Sequence, residues 1–144
     1  MGIEKLEPFI GEWKLEADLP GASDVEARSV FEWILGGQFL LQRSEVAHPD
    51  APDGHCIVGV NSDGEGYTQH YFDSRGIARV YEMKFEDGVW ELLRVKRDFT
   101  PLSFSQRYIG QFSDDGERIE GRWESSNDGS NWELDFHLNH VRLT

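Results

Sequence analysis

One dipeptide decides most of what this chain can fold into. Asp-Gly recurs at 53–54, 63–64, 87–88, 115–116 and 128–129, each time between runs in which apolar and polar residues alternate. Both residues tolerate positive φ, which tight two-residue hairpins demand. Gly36-Gly37 holds the same place between Ile34-Leu35 and Phe39-Leu40. Cutting the chain at these points predicts strands near 11–19, 25–35, 38–48, 55–62, 67–73, 77–86, 89–97, 103–113, 117–126 and 131–143. No long stretch repeats at 3.6 residues, and only Glu4 to Ile10 can form a short N-terminal helix.

Hairpins in series make an all-β protein. An open sheet of that size leaves aggregation-prone edges, whereas closure abolishes them. The expectation is a closed up-and-down antiparallel β-barrel of about ten strands with a short N-terminal helix, one domain over 1–144. A two-sheet sandwich needs longer crossovers than this chain offers. Links alternate between the two barrel ends. Tight ones (Gly36-Gly37, Asp63 to Gly66, Asp87-Gly88, Asp114 to Gly116) tie off one end, where the N-terminal segment can plug it. Looser ones (Pro20 to Asp24, Pro49 to Gly54, Asp98 to Leu102, Asn127 to Ser130) mark the other end as the mouth.

Composition narrows the partners. Acidic residues outnumber basic ones 27 to 14, for a net charge of −13, which repels nucleic-acid phosphates and anionic membranes. The single cysteine, Cys56, sits in the apolar run Cys56 to Val60 and reads as a buried small hydrophobe. The N-terminus lacks a signal-peptide apolar region, and Leu6 stands where a myristoylation signal needs Ser or Thr. No apolar run is long enough to span a bilayer. A cytoplasmic protein is expected, and a homodimer is left open.

Strand parity proposes what faces inward. The more apolar faces carry Val25, Ala27, Ser29, Phe31 and Trp33; Arg79, Tyr81 and Met83; Phe104, Gln106, Tyr108 and Gly110; Ile119, Gly121, Trp123 and Ser125; and Trp132, Leu134, Phe136, Leu138 and His140; in the third strand Gln38, Leu40, Gln42 and Ser44 compete with Phe39, Leu41, Arg43 and Glu45, and the first set is preferred. The fifth strand offers Tyr67, Gln69 and Tyr71 or Thr68, His70 and Phe72, with nothing to decide between them. The candidate ligand-binding set is Gln42, Arg79, Tyr81, Met83, Phe104, Gln106, Tyr108, Trp123, Phe136 and His140. A mostly apolar interior with a few orienting polar groups suits a small molecule. Arg79 and Gln106 are expected nearer the mouth, Tyr81 and Tyr108 at mid-depth, and Trp13, Trp33, Trp90 and His140 near the floor. An inward cation such as Arg79 needs a partner, which a ligand carboxylate, the tyrosine hydroxyls or an internal acid can supply. Asp24, Asp50, Asp53, Asp98 and Asp128 in the mouth loops oppose anions, so a neutral hydrophobic or aromatic ligand is expected.

Five stretches carry a resemblance: Phe9-Ile10-Gly11-Glu12-Trp13, Phe72-Asp73-Ser74-Arg75-Gly76, Arg79-Val80-Tyr81-Glu82-Met83, Phe104-Ser105-Gln106-Arg107-Tyr108 and Glu120-Gly121-Arg122-Trp123-Glu124. Over nearly the whole chain they resemble an uncharacterised bacterial family of lipocalin-like (calycin) barrels. That family is distantly similar to fatty-acid-binding proteins and nitrobindins. The resemblance implies that Trp13 of Gly11-x-Trp13 packs across the closed end. Similarity to nitrobindins implies a haem alternative on the last strand, held by His137 or His140, although Lys14-Leu15-Glu16 replaces the glycine-rich continuation of their motif. Otherwise no cofactor is expected.

An enzyme reading is weaker than a binding one. No Gly-x-Ser-x-Gly elbow, P-loop or dinucleotide fingerprint occurs. Acid–base chemistry inside the barrel would fall to His70, Tyr81 or Tyr108. Zinc needs three or four converging ligands, and His137 and His140 point to opposite faces. Asp63-x-Glu65 mimics part of a calcium loop but lacks the distal bidentate Glu.

Overall fold

Alternation and turn chemistry produce ten strands close to their expected limits. A computed structural model of the chain describes residues 2–18, 26–48, 51–96, 98 and 103–143. A 3-10 helix, Ile3–Phe9, precedes β1 (Gly11–Ala17), β2 (Ala27–Ile34), β3 (Phe39–Val46), β4 (Gly54–Val60) and β5 (Tyr67–Asp73). Then follow β6 (Ala78–Glu86), β7 (Val89–Arg94), β8 (Ser105–Phe112), β9 (Arg118–Ser126) and β10 (Glu133–Arg142). Each strand pairs antiparallel with its sequence neighbours, and β1 closes the barrel on β10.

The tight turns gather at one end as expected. At β6–β7, Asp87 and Gly88 take φ of 52° and 77°, the mirror-image turn geometry that suits strand twist. Asp53-Gly54 behaves differently. Gly54 opens β4, while the Asp53 carboxylate accepts a hydrogen bond from the Val46 N–H at 3.0 Å and the Asp53 N–H donates to Ser74 Oγ at 3.0 Å. That dipeptide pins the mouth end instead of turning a hairpin. The expected loose links at 20–24, 49–50 and 99–102, and inward Val25, lie outside the described residues.

The closed end is filled with aromatic rings. Leu6 and Phe9 of the 3-10 helix are fully buried. The Phe9 ring sits 5.0 Å from each of Phe85, Trp90 and Phe112 and 5.4 Å from Phe31. Trp13 Nε1 donates to the Phe9 carbonyl at 2.8 Å, and the Arg142 guanidinium lies 4.1 Å above the Trp13 ring. Arg142 also donates to the carbonyls of Ile10 and Pro8, at 2.8 and 2.6 Å, tying the last strand to the plug.

Parity holds along every strand except the start of β10. Between Leu134 and Phe136 the register against β9 shifts: Leu134 faces Glu124, but Phe136 faces Trp123. The extra residue is a β-bulge, which reverses the faces before it. Leu134 therefore points outward and is 55% exposed, and Trp132 lies under the Arg107 guanidinium, 4.3 Å away, beside outward-facing Arg107. The inward assignment of Trp132 and Leu134 is corrected; Phe136, Leu138 and His140 keep theirs. The fifth strand is settled too, with Tyr67 and Gln69 buried and His70 and Phe72 exposed.

Tyr108 crosses the wall where two paired glycines make room. Gly110 and Gly121 face each other between β8 and β9. A Cβ on Gly110 would come within 2.9 Å of the Tyr108 ring, and one on Gly121 would collide with the Tyr108 hydroxyl. That hydroxyl donates to the Leu138 carbonyl at 2.9 Å, and the Asn139 side chain accepts from the Gly121 N–H at 3.1 Å. Two side chains thus replace ladder hydrogen bonds between β9 and β10. Gly121→Ala is expected to expel the hydroxyl and cost about 1–3 kcal/mol, the usual scale of overpacking. Urea unfolding tests this, and wild-type stability would show that the hydroxyl does not occupy the ladder.

Candidate ligand-binding site

Inward side chains differ with depth. Towards the plug Trp13, Phe31, Leu40, Met83, Trp90, Leu92, Phe112 and Ile119 are buried. Towards the mouth Ala17, Gln42, Ser44, Tyr71, Arg79, Gln106, Trp123 and Phe136 keep partial exposure. Most polar groups of the interior lie along this upper region. Gln42, Cys56, Tyr71 and Arg79 are successive register neighbours across β3–β6. Gln69 and Tyr81 pair across β5–β6, and Arg94 and Gln106 pair across β7–β8.

The sequence-predicted residues largely meet here. Arg79 Nη1 and the Tyr81 hydroxyl both donate to Gln106 Oε1, at 3.3 and 3.2 Å. Trp123 stands 5.8 Å from Tyr81 and 5.3 Å from Tyr108, with Phe136 opposite it in register and Met83 buried next to Tyr67. Gln42 joins a hydroxyl pair on another wall, donating to Ser29 Oγ at 3.2 Å, while Ser29 and Ser44 are 2.7 Å apart. Phe104 does not join. It precedes β8 and is exposed at the mouth. His140 lies in the aromatic floor, 5.5 Å from Trp90 and 6.3 Å from Trp13, below the polar arc.

Arg79 is distinct in its electrostatics. Every other described arginine has a carboxylate within ion-pair distance: Arg28, Arg43, Arg75, Arg94, Arg107, Arg118, Arg122 and Arg142. Arg79 has none among the described residues, and its Nε is buried without a hydrogen-bond partner. Arg94, inward on β7, was not singled out by sequence. Its guanidinium holds Asp98 in two bonds of 2.7 and 2.8 Å, and Asp98 also accepts from the Val80 N–H at 2.9 Å. Spacing of four residues was the available signal. Asp98 is thus neutralised, Asp53 and Asp128 are engaged in hydrogen bonds, and Asp24 and Asp50 lie outside the described residues. The acidic barrier expected at the mouth loses one member to Arg94.

Proton chemistry finds little here. Burial pushes the Tyr81 and Tyr108 hydroxyls up from the ordinary phenol value and the Cys56 thiol up to about 12. His70 is exposed on the outer face. Among the described residues no three His, Cys, Asp or Glu side chains converge to hold a metal ion. Asp63 instead accepts the Glu65 N–H in its turn, at 2.8 Å. Outward His137 is exposed, and His140 is buried with its Nδ1 unpartnered.

His140 and Asp73 both contribute to the acid response. Burial lowers His140 from 6.5 to about 3. Between those values the unfolded chain binds a proton that the folded barrel refuses, so stability is lost as pH falls, by up to about 1.4 kcal/mol per unit. Burial works against ionised Asp73, but hydrogen bonds from Arg75 and Tyr71 prevail and hold its carboxyl at about 2. Its stabilisation is present above about pH 4 and disappears as pH falls towards 2. His140→Phe should flatten the stability loss between about pH 6 and 4 and leave the steeper loss below it. Urea midpoints across that range decide the matter; an unaltered profile would remove His140 from this account.

No family model and no curated protein matches the chain. Solved structures do. The chain is similar to Rv2717c from M. tuberculosis at 16% identity and a TM-score of 0.64, over 99% of this chain and 97% of that one. It is also similar to apo lipid binding protein 8 from Caenorhabditis elegans at 12% identity and a TM-score of 0.62, over 95% and 96% of the two chains. These likenesses bear on the fold alone and agree with the closed ten-stranded barrel.

Proposed function

We propose that the barrel holds a small amphipathic molecule, its apolar body against Met83, Leu92, Trp123 and Phe136 and an acidic head at Arg79. The observation that carries this is Arg79 itself, an inward arginine without a carboxylate partner among the described residues. A partly buried cation gains from a partner, and a carboxylate is the one its fork geometry suits. Gln106 and Tyr81 orient the guanidinium from below. The graded exposure of the lining supports a lumen that opens at the mouth. The lipid-binding neighbour supports an apolar ligand. Neutralisation of Asp98 by Arg94 favours an acid over the neutral ligand that the sequence suggested.

The alternatives draw less support. Haem would need an imidazole with an open face inside the barrel. His137 faces out, and His140 is enclosed by Trp13, Phe31, Trp90 and Tyr108 with no partner to anchor Nδ1 as axial histidines usually have. Acid–base catalysis draws little support from the inward groups Tyr81, Tyr108 and His140, since burial raises the two phenols and lowers the imidazole.

Fluorescence titration with a dansylated long-chain acid, alongside its methyl ester, tests the reading. Arg79→Gln should weaken the acid about tenfold or more and leave the ester unchanged, since a charge-assisted hydrogen bond contributes about 1.5–3 kcal/mol. Equal affinity of the variant for the acid would dismiss the head-group site. Failure of wild-type protein to bind either probe would dismiss the carrier reading.

A further inference from the structure

Gln69 faces the lumen from the middle of β5 and is only 4% exposed. Its carboxamide offers two donor hydrogens and an acceptor oxygen. Among the described residues it makes no hydrogen bond with any of them. The neighbours explain why. Val58, opposite it on β4, has no polar side-chain atom, and the hydroxyl of Tyr81, opposite it on β6, is turned to Gln106 Oε1 at 3.2 Å. The other inward amides are engaged: Gln42 donates to Ser29, and Gln106 accepts from Arg79 and Tyr81.

Buried amides are normally paired, and one without a partner is costly. Two further polar atoms lack partners, Trp90 Nε1 and His140 Nδ1, but both are sealed among the rings of the floor. The amide atoms of Gln69 are not fully enclosed. Thr68 and His70 take the outer face of β5, so the opening at Gln69 is on the lumen side.

Its place relative to Arg79 gives that opening a meaning. Tyr71 faces Arg79 in register, and Gln69 is the next inward residue towards the plug. Gln69 and Arg79 are therefore diagonal neighbours on adjacent strands, with backbone sites about 7–8 Å apart. A molecule with its carboxylate on Arg79 and its body towards the floor passes Gln69 within its first few carbons. Tyr71 cannot serve in place of Gln69, because its hydroxyl is held by Asp73 Oδ2 at 2.7 Å.

We propose that Gln69 is a specificity residue of the Arg79 site, and that the ligand is a hydroxy- or oxo-acid whose second oxygen bonds the Gln69 amide. This rests on the carboxylate reading of Arg79. A plain alkyl chain would cover the amide and leave it unpaired. A hydroxyl or keto oxygen a few carbons from the carboxylate pairs it, since the amide can donate to either and accept from the former. A site that bonds such an oxygen rejects the analogue lacking it.

Calorimetric titration with hexadecanoic acid and with its β-hydroxy derivative tests this, using wild-type protein and Gln69→Leu. Wild type should bind the hydroxy acid about tenfold or more tightly than the plain acid, and Gln69→Leu should erase that preference. In urea the Leu variant should be as stable as wild type or more so, because it replaces an unpaired buried amide by an apolar group of similar size. Equal wild-type affinity for the two acids would overturn the proposal and leave the carboxylate site at Arg79 standing. So would a preference that persists in Gln69→Leu. Binding of neither acid to wild type would remove both readings together.

Discussion

Phe9 inserts from below into rings contributed by β2, β6, β7 and β8, and the barrel's two halves acquire different characters from that contact. Beneath it the interior is dry, aromatic and full. Above it most inward side chains keep partial exposure, and the polar groups gather beside Trp123. A ten-stranded barrel encloses more than its own side chains readily fill. Concentrating the packing at one end supplies a hydrophobic core there. The plug is held by backbone carbonyls, those of Pro8, Phe9 and Ile10, reaching Arg142 and Trp13.

The upper interior has the opposite sign to the molecule's surface. Two arginines, Arg79 and Arg94, face inward in a chain with a large excess of acid. Arg94 is answered by Asp98, and that pair does structural work, since the same carboxylate completes the hydrogen bonding of β6 at Val80. Arg79 is answered by a neutral glutamine. The difference is that Arg94 has a carboxylate and Arg79 has none among the described residues.

Much of this was legible in the sequence. Asp-Gly turns set the strand limits, and alternation placed Arg79, Tyr81, Gln106, Trp123 and His140 on the inner wall. The errors have local causes. The bulge at Leu134–Phe136 adds one residue, invisible to a period-two count, and it turned Trp132 and Leu134 outward. Tyr67, Gln69 and Tyr71 are amphipathic, as are Thr68, His70 and Phe72, so polarity could not choose a face. Phe104 had the right parity but fell before its strand began. Arg94 was overlooked because a charge near a strand end reads as solvent-facing until its carboxylate partner, four residues on, folds back over it.

The pairing of β1 with β10 joins segments at opposite ends of the chain; Arg142 reaches Ile10 across 132 positions. A chain made from its N-terminus outward must therefore wait for its last strand. Until β10 leaves the ribosome, β1 has only β2 beside it, and its other margin presents unpaired peptide groups. Until then the nascent barrel is an incomplete curl with an exposed seam, and the latch that seals it belongs to the last of the ten strands to be translated.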